Sequence, residues 1–363
     1  MPEIRTPLIT LKGRGVPHRQ PHRFEREQRA AFDDGWDTLS ALPDELRASP
    51  HTEVIWEDAR SAITRNDSPD IGFSLGLNPY RGCEHGCAYC YARPSHSYLN
   101  LSPGLDFETR IIAKRNIAGV LQRELLRPGY QPDLLALGTV TDAYQPVERE
   151  LRLTRGVLEV LHAARHPVAI VTKGSGVERD LDLLAPMGRL GLAAVYVTVT
   201  TLDASLARRL EPRAAAPHRR LRTIRTLAEA GVPVGVSVSP QIPFLNDDME
   251  QVLQAAAEAG ATRAFYQVLR LPWELKPMFR LWLQQHVPER AERIMARVQD
   301  LHGGQDYRAD FATRMKGQGI WSDLIRQRFT RACHRLGLNA ERQPLDNSRF
   351  TPSALQAQLA LLD

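Results

Sequence analysis

The sequence predicts an α/β protein built around a parallel sheet. Runs rich in valine, isoleucine, threonine and aromatic residues recur through the middle of the 363-residue chain, and such runs are typical of buried strands. Amphipathic segments separate these runs, and several of them end on glycine, as helices often do. Strands that alternate with helices favour right-handed βαβ units, and therefore parallel strands.

Six strand-like runs are predicted in chain order: IGFSLGL (71–77), DLLALGTV (133–140), PVAIVTK (167–173), AAVYVTVTTL (193–202), VPVGVSVSP (232–240) and TRAFYQVLRL (262–271). The predicted helical segments between them include VERELRLTRGVLEVLHAAR, VERDLDLLAPMG, HRRLRTIRTLAEAG and DDMEQVLQAAAEAG. Six units are fewer than the eight of a closed TIM barrel. The spacing therefore leaves two arrangements open, an incomplete barrel and an open parallel sheet.

Three regions are predicted along the chain. Residues 1–70 form an N-terminal basic extension or arm, because GRGVPHRQPHRFE is rich in Gly, Pro and Arg and has no apolar period. Residues 71–271 contain the six units and form the core domain. Residues 272–363 form a C-terminal helical region, since the strand-like runs stop there.

The composition is that of a globular protein, with 43% hydrophobic and 25% charged residues. No apolar run reaches the ~18 residues that a membrane helix needs, and the first residues do not have the pattern of a secretion signal. We therefore expect a cytoplasmic protein that does not enter a membrane. Three of the four cysteines are clustered, which in a reducing compartment indicates metal or redox chemistry rather than disulfides.

The net charge is +5, and all but five of the 47 basic residues are arginine. A compositional bias explains this as well as phosphate contacts do, although arginine suits bidentate phosphate binding. Two segments concentrate the charge and are candidates for contact with nucleic acid, although a solvated helix face has the same pattern. Their basic residues are Arg5, Lys12, Arg14, Arg19, Arg23, Arg26 and Arg29 in the first segment, and Arg328, Arg331 and Arg335 in the second.

The segment RGCEHGCAYCYARPSH contains Cys83, Cys87 and Cys90 in a C-x3-C-x2-C spacing. Gly82 and Gly86 let the backbone curl, so the three thiolates can converge on one metal centre. A structural zinc site or a ferredoxin-type iron–sulfur cluster normally has four protein ligands. Three thiolates therefore indicate a cluster in which one iron is open to an exogenous ligand.

With Tyr89 before its last cysteine and a strand before it, this segment resembles the radical S-adenosylmethionine (radical SAM) superfamily. NPYRGCEHGCAYCYAR, GTVTDAYQPVERE, VTKGSG, VTVTTLDASLARRLEPRAAAPHRRL and GVSVSPQIPFLND resemble the branch related to spore photoproduct lyase, whose uncharacterised members are described as DNA-repair photolyase-like. The resemblance covers about residues 75–275.

The resemblance implies a partial (β/α)6 TIM-like barrel with its site at the carboxyl ends of the strands, as in other barrels. It implies a [4Fe–4S] cluster on Cys83, Cys87 and Cys90, with SAM chelating the fourth iron through its amino and carboxylate groups. One electron then cleaves SAM, and the 5′-deoxyadenosyl radical abstracts hydrogen from the substrate. A one-electron donor of the flavodoxin or ferredoxin type is the expected partner.

The resemblance also implies which side chains contact SAM. Tyr89 lies beside the adenine, the alternative being a packed aromatic residue. Lys173 pairs with the SAM carboxylate, the alternative being a surface lysine. Polar residues at or after the other strand ends complete the implied set: Thr139, Thr141, Asp142, Thr198, Thr200, Glu211, Arg213, Ser237 and Ser239. Thr139, Thr141 and Asp142, which follow the second strand, equally suit a helix cap. Glu211 and Arg213, in the LEPRA motif, equally suit an ion pair beside a helix.

One feature departs from the resemblance. The lyase has a cysteine at the end of its second strand that returns hydrogen to a product radical, whereas GTVTDAY contains none. Tyr91 and Tyr144 are the candidates for this relay, and Cys333 is expected to be buried and inert. Three functions stay open: a radical SAM enzyme acting on nucleic acid, one acting on a peptide or small molecule, and a non-enzymatic zinc module completed by His85 or His96.

Overall fold

A computed structural model describes residues 13–16, 19–25, 51–341, 344–353 and 355. The strands in this part of the chain are β1 (Glu53–Glu57), β2 (Ile63–Arg65), β3 (Leu75–Leu77), β4 (Tyr80–Arg81), β5 (Arg110–Lys114), β6 (Leu135–Leu137), β7 (Val168–Thr172), β8 (Ala193–Thr198), β9 (Val234–Ser237) and β10 (Arg263–Phe265). The helices are α1 (Leu105–Thr109), α2 (Ile117–Leu125), α3 (Glu148–Leu151), α4 (Leu153–Ala163), α5 (Leu181–Arg189), α6 (Ala204–Leu210), α7 (Pro217–Glu229), α8 (Met249–Glu258), α9 (Leu275–His286), α10 (Ala291–Leu301) and α11 (Gly319–Leu336).

The main sheet of the described residues has seven strands in the order β10-β9-β8-β7-β6-β3-β2. Strands β3 and β6 to β10 run parallel, and β2 pairs antiparallel with β3 at one edge. The outermost strands, β2 and β10, do not pair with each other in this part of the chain, so the sheet is open. The six parallel strands lie within the six predicted runs, which confirms the α/β class and a partial barrel.

The register of the parallel strands brings polar residues to one edge of the sheet. Thr172 lies opposite Val197, and Thr198 lies opposite Ser237. Lys173, Thr198 and Ser237 therefore reach the same carboxyl edge, because neighbouring parallel strands end together. This edge is where the resemblance placed the site.

Two apolar cores hold the fold together. The larger core packs α2, α4, α5, α7, α8 and α11 against the main sheet. The smaller core joins α6, α9 and α10 to the cysteine segment, with Cys87 and Tyr89 beside Leu210, Phe279 and Ile294. Helices α9 and α10 therefore pack against the part of the loop that contains Cys87, and α11 packs against the larger core.

The sequence analysis did not predict the strands that precede residue 71. Strand β2 extends the main sheet, and β1, β5 and β4 form a separate three-stranded sheet. Strand β1, EVIWE, begins and ends on glutamate and is only partly buried. Its sequence therefore lacks the apolar run by which the other strands were predicted. The boundaries at residues 70 and 271 stay predictions, and Arg5, Lys12, Arg26 and Arg29 lie outside the described residues.

The arginines of the second basic segment lie on α11, where Arg328 pairs with Glu250 at 2.6 Å. Cys333 on the same helix is buried in the larger core, as expected. None of the helices in the described residues is long and apolar enough to cross a membrane.

An ion pair connects the two open edges of the main sheet. Asp70 follows edge strand β2, and its carboxylate accepts from Arg314 Nε at 2.6 Å and Nη2 at 2.7 Å. Arg314 belongs to a segment beyond α10 that joins the other side of the sheet, where Val268 N donates to Met315 O at 3.0 Å. Both side chains of the pair are mostly buried.

We predict that Asp70→Asn lowers the free energy of unfolding by about 1–3 kcal/mol, because it leaves the mostly buried Arg314 charge without its carboxylate. Denaturant unfolding measures this loss. Asp67→Asn is the matched control, since Asp67 is exposed and its replacement should change stability by less than about 0.5 kcal/mol. Equal effects of the two substitutions would show that Asp70 does not stabilise the fold through Arg314.

Candidate functional site

The cysteine loop follows β4 and leads into the short 3-10 helix Arg93–Leu99. Gly86 N donates to Cys83 O at 3.4 Å, and Cys90 N donates to Cys87 O at 3.2 Å. Cys90 packs against Cys83 on one side and against the smaller core containing Cys87 on the other. All three are free thiols. The loop thus packs Cys90 between the clusters that contain Cys83 and Cys87.

The charges around the loop show which ligand this donor set fits. Burial, followed by the fields of Asp142 and the other two thiols, raises the pKa of Cys83. Burial likewise raises the pKa of Cys87 to about 12, against the effect of Lys173. Three thiolates on one loop, two of them buried, repel one another, so they need a cationic centre between them. Soft sulfur donors suit an iron–sulfur cluster, and the donor set fits one.

The loop does not resemble a Cys3His zinc site. In the described part of the chain, no three His, Cys, Asp or Glu side chains converge on a point that could hold a single ion. His85 Nδ1 lies 3.2 Å from Asp142 Oδ2, and His96 Nε2 lies 3.1 Å from Arg110 O. Burial lowers the pKa of His96 to about 4, so its ring is neutral. Both histidines thus contact groups other than the cysteines.

A buried ion pair contacts the backbone of the cysteine loop. Arg93 and Glu108 are both fully buried and contact each other directly. Arg93 Nε donates to Cys87 O at 2.9 Å. The Glu108 carboxylate also accepts from Gly15 N at 3.0 Å and Val16 N at 2.9 Å. The pair therefore joins the loop to the N-terminal segment, which the sequence analysis interpreted only as a loop or arm.

The basic residues of this segment make contacts inside the protein. Arg14 Nη1 donates to Glu108 O at 2.9 Å. Arg23 Nη1 contacts both carboxylate oxygens of Glu274, at 2.9 and 2.8 Å. Arg19 pairs with Glu25 at 2.6 Å. These contacts fix the segment and engage charges that were candidates for binding nucleic acid.

Two predicted SAM residues contact the cysteine loop instead of facing open space. Thr141 Oγ1 donates to Gly82 O, and Arg213 Nη2 pairs with Glu84 at 3.1 Å. Arg213 N also donates to His85 O at 3.2 Å. These residues hold the loop in position.

Asp142 connects the cysteine loop to the end of β7. Its Oδ1 accepts from Thr172 Oγ1 at 2.7 Å, and its Oδ2 accepts from Lys173 N at 2.7 Å and lies near His85. Although burial alone would raise the pKa of Asp142, these partners lower it. The carboxylate is therefore ionised and fully engaged.

Tyr89 belongs to a buried cluster at the carboxyl edge. Tyr89 OH and Thr200 Oγ1 both donate to Glu211 Oε1, and Arg220 Nη2 pairs with Glu211 Oε2. Burial alone would raise the pKa of Glu211, but Arg220 and Lys173 lower it to about 2. Glu211 is thus an anion that fixes the orientation of Tyr89.

Lys173 differs from Asp142 and Glu211 because its charged group is not engaged by a hydrogen bond or salt bridge among the described residues. Its Nζ lies 5.7 Å from the centroid of the Tyr89 ring. The fields of Cys87 and Glu211 raise its pKa against the effect of burial. Within the described residues its ammonium group makes no hydrogen bond or salt bridge. A cation that stands among the cysteines and Tyr89 without an acceptor can bind an anionic ligand.

The remaining predicted residues line the same edge, with one exception. Thr139 O accepts from Tyr91 OH, Thr198 O accepts from Arg220 Nη1 at 3.0 Å, and Ser239 Oγ accepts from Gln267 N at 3.0 Å. Ser237 is buried beside Thr198. The exception is Tyr144, whose OH donates to the buried Asp180 at 3.0 Å, away from the cysteines.

Arg93, Glu108 and Arg220 were missed by the sequence analysis. One signal could have found Arg220: it stands with Thr223, Ile224 and Leu227 on the buried face of α7, and an arginine within an apolar helix face needs a buried partner. No spacing rule connects Arg93 with Glu108, because only the tertiary fold brings α1 beneath the loop.

Comparison with known proteins agrees with this geometry. The family model described as the Radical SAM superfamily matches residues 77–256. An uncharacterised protein of Mycobacterium bovis is 38% identical over 244 residues, which are 66% of this chain and 71% of that protein. An uncharacterised protein of Methanocaldococcus jannaschii is 27% identical over 242 residues, 67% of this chain and 86% of that protein.

A solved structure shares the fold. Spore photoproduct lyase, in a variant with bound AdoMet and dinucleoside spore photoproduct, superimposes with a TM-score of 0.51 over 78% of this chain and 80% of that chain. The sequence identity of that pair is 16%. The likeness therefore concerns the arrangement of strands and helices.

We predict that Gly15→Ala detaches the N-terminal segment from the cysteine loop. A Cβ atom on Gly15 would lie 1.7 Å from Gly86 O, so the Val16 amide must leave Glu108. Hydrogen exchange at Val16 should accelerate by about tenfold or more. Gly72→Ala is the control, since a Cβ there meets no atom within 4 Å. Unchanged protection of Val16 in Gly15→Ala would contradict this attachment.

Proposed function

The chain belongs to the radical SAM superfamily, and from that premise we propose that Cys83, Cys87 and Cys90 hold the cluster of this radical SAM enzyme. Enzymes of this superfamily use a [4Fe–4S] cluster and SAM. The observation that carries the proposal is the loop of three free thiols, two of them buried, which stands without a fourth cysteine at the carboxyl edge of a partial barrel.

When bound, the cluster and SAM supply one-electron cleavage of SAM to the 5′-deoxyadenosyl radical, which abstracts hydrogen from a substrate. Lys173 binds the SAM carboxylate, since its ammonium group makes no hydrogen bond or salt bridge within the described residues. Tyr89 packs beside the adenine. Glu211 acts on SAM indirectly, because its carboxylate fixes Tyr89 and Thr200 in position.

Thr139, Thr198, Ser237 and Ser239 complete the proposed edge around SAM, and Thr141, Asp142 and Arg213 position the cysteine loop. The smaller core excludes water from Cys87 and Tyr89, and a reactive radical needs such a dry site. Tyr91 is the proposed hydrogen relay, because it directly follows Cys90 and its OH contacts Thr139 O. Tyr144 is not proposed for this role, since its OH is bound to Asp180.

The enzyme needs a reductant for each electron delivered to the cluster, and we propose a flavodoxin or ferredoxin as the donor.

For the substrate we propose nucleic acid. The net charge of +5 supports this class. So does the fold shared with spore photoproduct lyase, which was solved with bound dinucleoside spore photoproduct.

We predict that Cys87→Ala loses most of its iron and sulfide after anaerobic reconstitution, because two thiolates cannot hold the cluster. Metal and sulfide analysis measures the loss. Cys333→Ala is the matched control, since Cys333 lies in the larger core and its removal should leave the iron content unchanged. Full iron content in Cys87→Ala would refute the proposed ligand set.

We predict that Lys173→Met weakens SAM binding on the order of 10- to 100-fold, because it removes the cation from a buried charge pair. Isothermal titration of the reconstituted protein with SAM measures the dissociation constant. Lys276→Met, on α9, removes the same charge elsewhere and should leave it unchanged. Equal affinity in the two variants would remove Lys173 from the SAM site.

A further inference from the structure

Arg270 is a cation whose polar surroundings are incomplete. Its Nε atom is buried and makes no hydrogen bond to any described residue. In the same part of the chain, its Nη1 contacts the sulfur of Met315 at 3.4 Å, which is a weak acceptor. The guanidinium carbon lies 4.6 Å from the centroid of the Tyr91 ring. This stacking orients the guanidinium but leaves its hydrogen-bond donors without a strong acceptor.

Two fully buried arginines, by contrast, each pair with a carboxylate. Arg93 contacts Glu108, and Arg220 contacts Glu211. The field of Arg270 reaches Asp70, but both oxygens of that carboxylate already accept from Arg314. Among the described residues, Arg270 has no salt-bridge partner. Burying a donor without an acceptor costs stability, and a bound anion would supply the acceptor.

Arg270 lies beside the cysteines of the proposed cluster, because it contacts Tyr91. Tyr91 directly follows Cys90, and its OH donates to Thr139 O beyond the end of β6. The fields of Arg270, Cys90 and Lys173 all act on Tyr91. The Arg270–Tyr91 stack therefore stands at the carboxyl edge, beside the cysteines and Lys173, and the Tyr91 side chain is 40% exposed.

We propose that Arg270 and Tyr91 form a substrate subsite that binds the phosphate of a nucleotide. The guanidinium donates to the phosphate oxygens, and the exposed part of the Tyr91 ring supports the base. A nucleotide fits this pair better than a simple carboxylate because it carries an anion and an aromatic ring together. The subsite rests on the proposed function and specifies the substrate class that the enzyme accepts.

The test uses the reconstituted enzyme loaded with SAM and measures equilibrium binding by titration calorimetry. The probes are thymidylyl-thymidine, its uncharged methylphosphonate analogue, and thymidine 5′-monophosphate. Arg270→Gln is compared with Arg308→Gln, which removes the same charge from an exposed side chain. Thermal unfolding and the response of the cluster EPR signal to SAM confirm that each variant is folded and loaded.

We expect the unmodified enzyme to bind a phosphate-bearing probe about tenfold or more tightly than the methylphosphonate. Arg270→Gln should abolish this preference. It should also reduce the slope of the logarithm of the binding constant against the logarithm of the salt concentration by about 1, the value for one phosphate contact. Arg308→Gln should leave both unchanged. Preference for the dinucleotide indicates a phosphodiester strand as the source of the phosphate, and preference for the monophosphate indicates a free nucleotide.

Equal binding of the charged and uncharged probes would overturn the subsite, as would equal behaviour of the two variants. Failure of all three probes to bind an enzyme whose EPR signal still responds to SAM would also overturn it. That last result would leave the cluster and SAM assignments intact. Loss of the EPR response in the unmodified enzyme would instead contradict the proposed function itself.

Discussion

The buried ion pair between Arg93 and Glu108 is the interaction on which the cysteine loop depends. Each partner is removed from water, so neither charge is tolerated alone, and losing one partner of such a pair typically costs about 3–5 kcal/mol. The pair uses its remaining hydrogen-bonding capacity on backbone groups, the Cys87 carbonyl and the amides of Gly15 and Val16. The conformation of the loop is thereby tied to α1 and to the N-terminal segment.

The polar groups at the carboxyl edge divide into two kinds. The anions Asp142 and Glu211 are saturated by protein donors, and so they hold the loop and Tyr89 in place. The cations Lys173 and Arg270 lack carboxylate partners among the described residues. An edge with saturated anions and available cations favours anionic ligands, one at the cysteines and one at Tyr91.

The parallel strands could be predicted from the sequence, and so could the proposed cluster ligands, because both predictions depend on a local sequence pattern. Val168–Thr172 is a short run rich in β-branched residues, which favours a buried strand, and Lys173 follows it directly. Strand β1 escaped notice because its composition is mixed and its burial partial. The direction of a polar side chain at a strand end was not predictable. Thr141 and Arg213 contact the cysteine loop, and nothing in GTVTDAY or LEPRA distinguishes that loop from a ligand.

The central claim is that the three cysteines leave one iron open for SAM. Electron–nuclear double resonance of the reduced, reconstituted protein tests it, using SAM labelled with 15N in the amino group and 17O in the carboxylate. Direct coupling of both labels to the cluster is the expected result, since both groups would chelate the open iron. A reduced cluster whose spectrum ignores SAM and couples to neither label would contradict the claim.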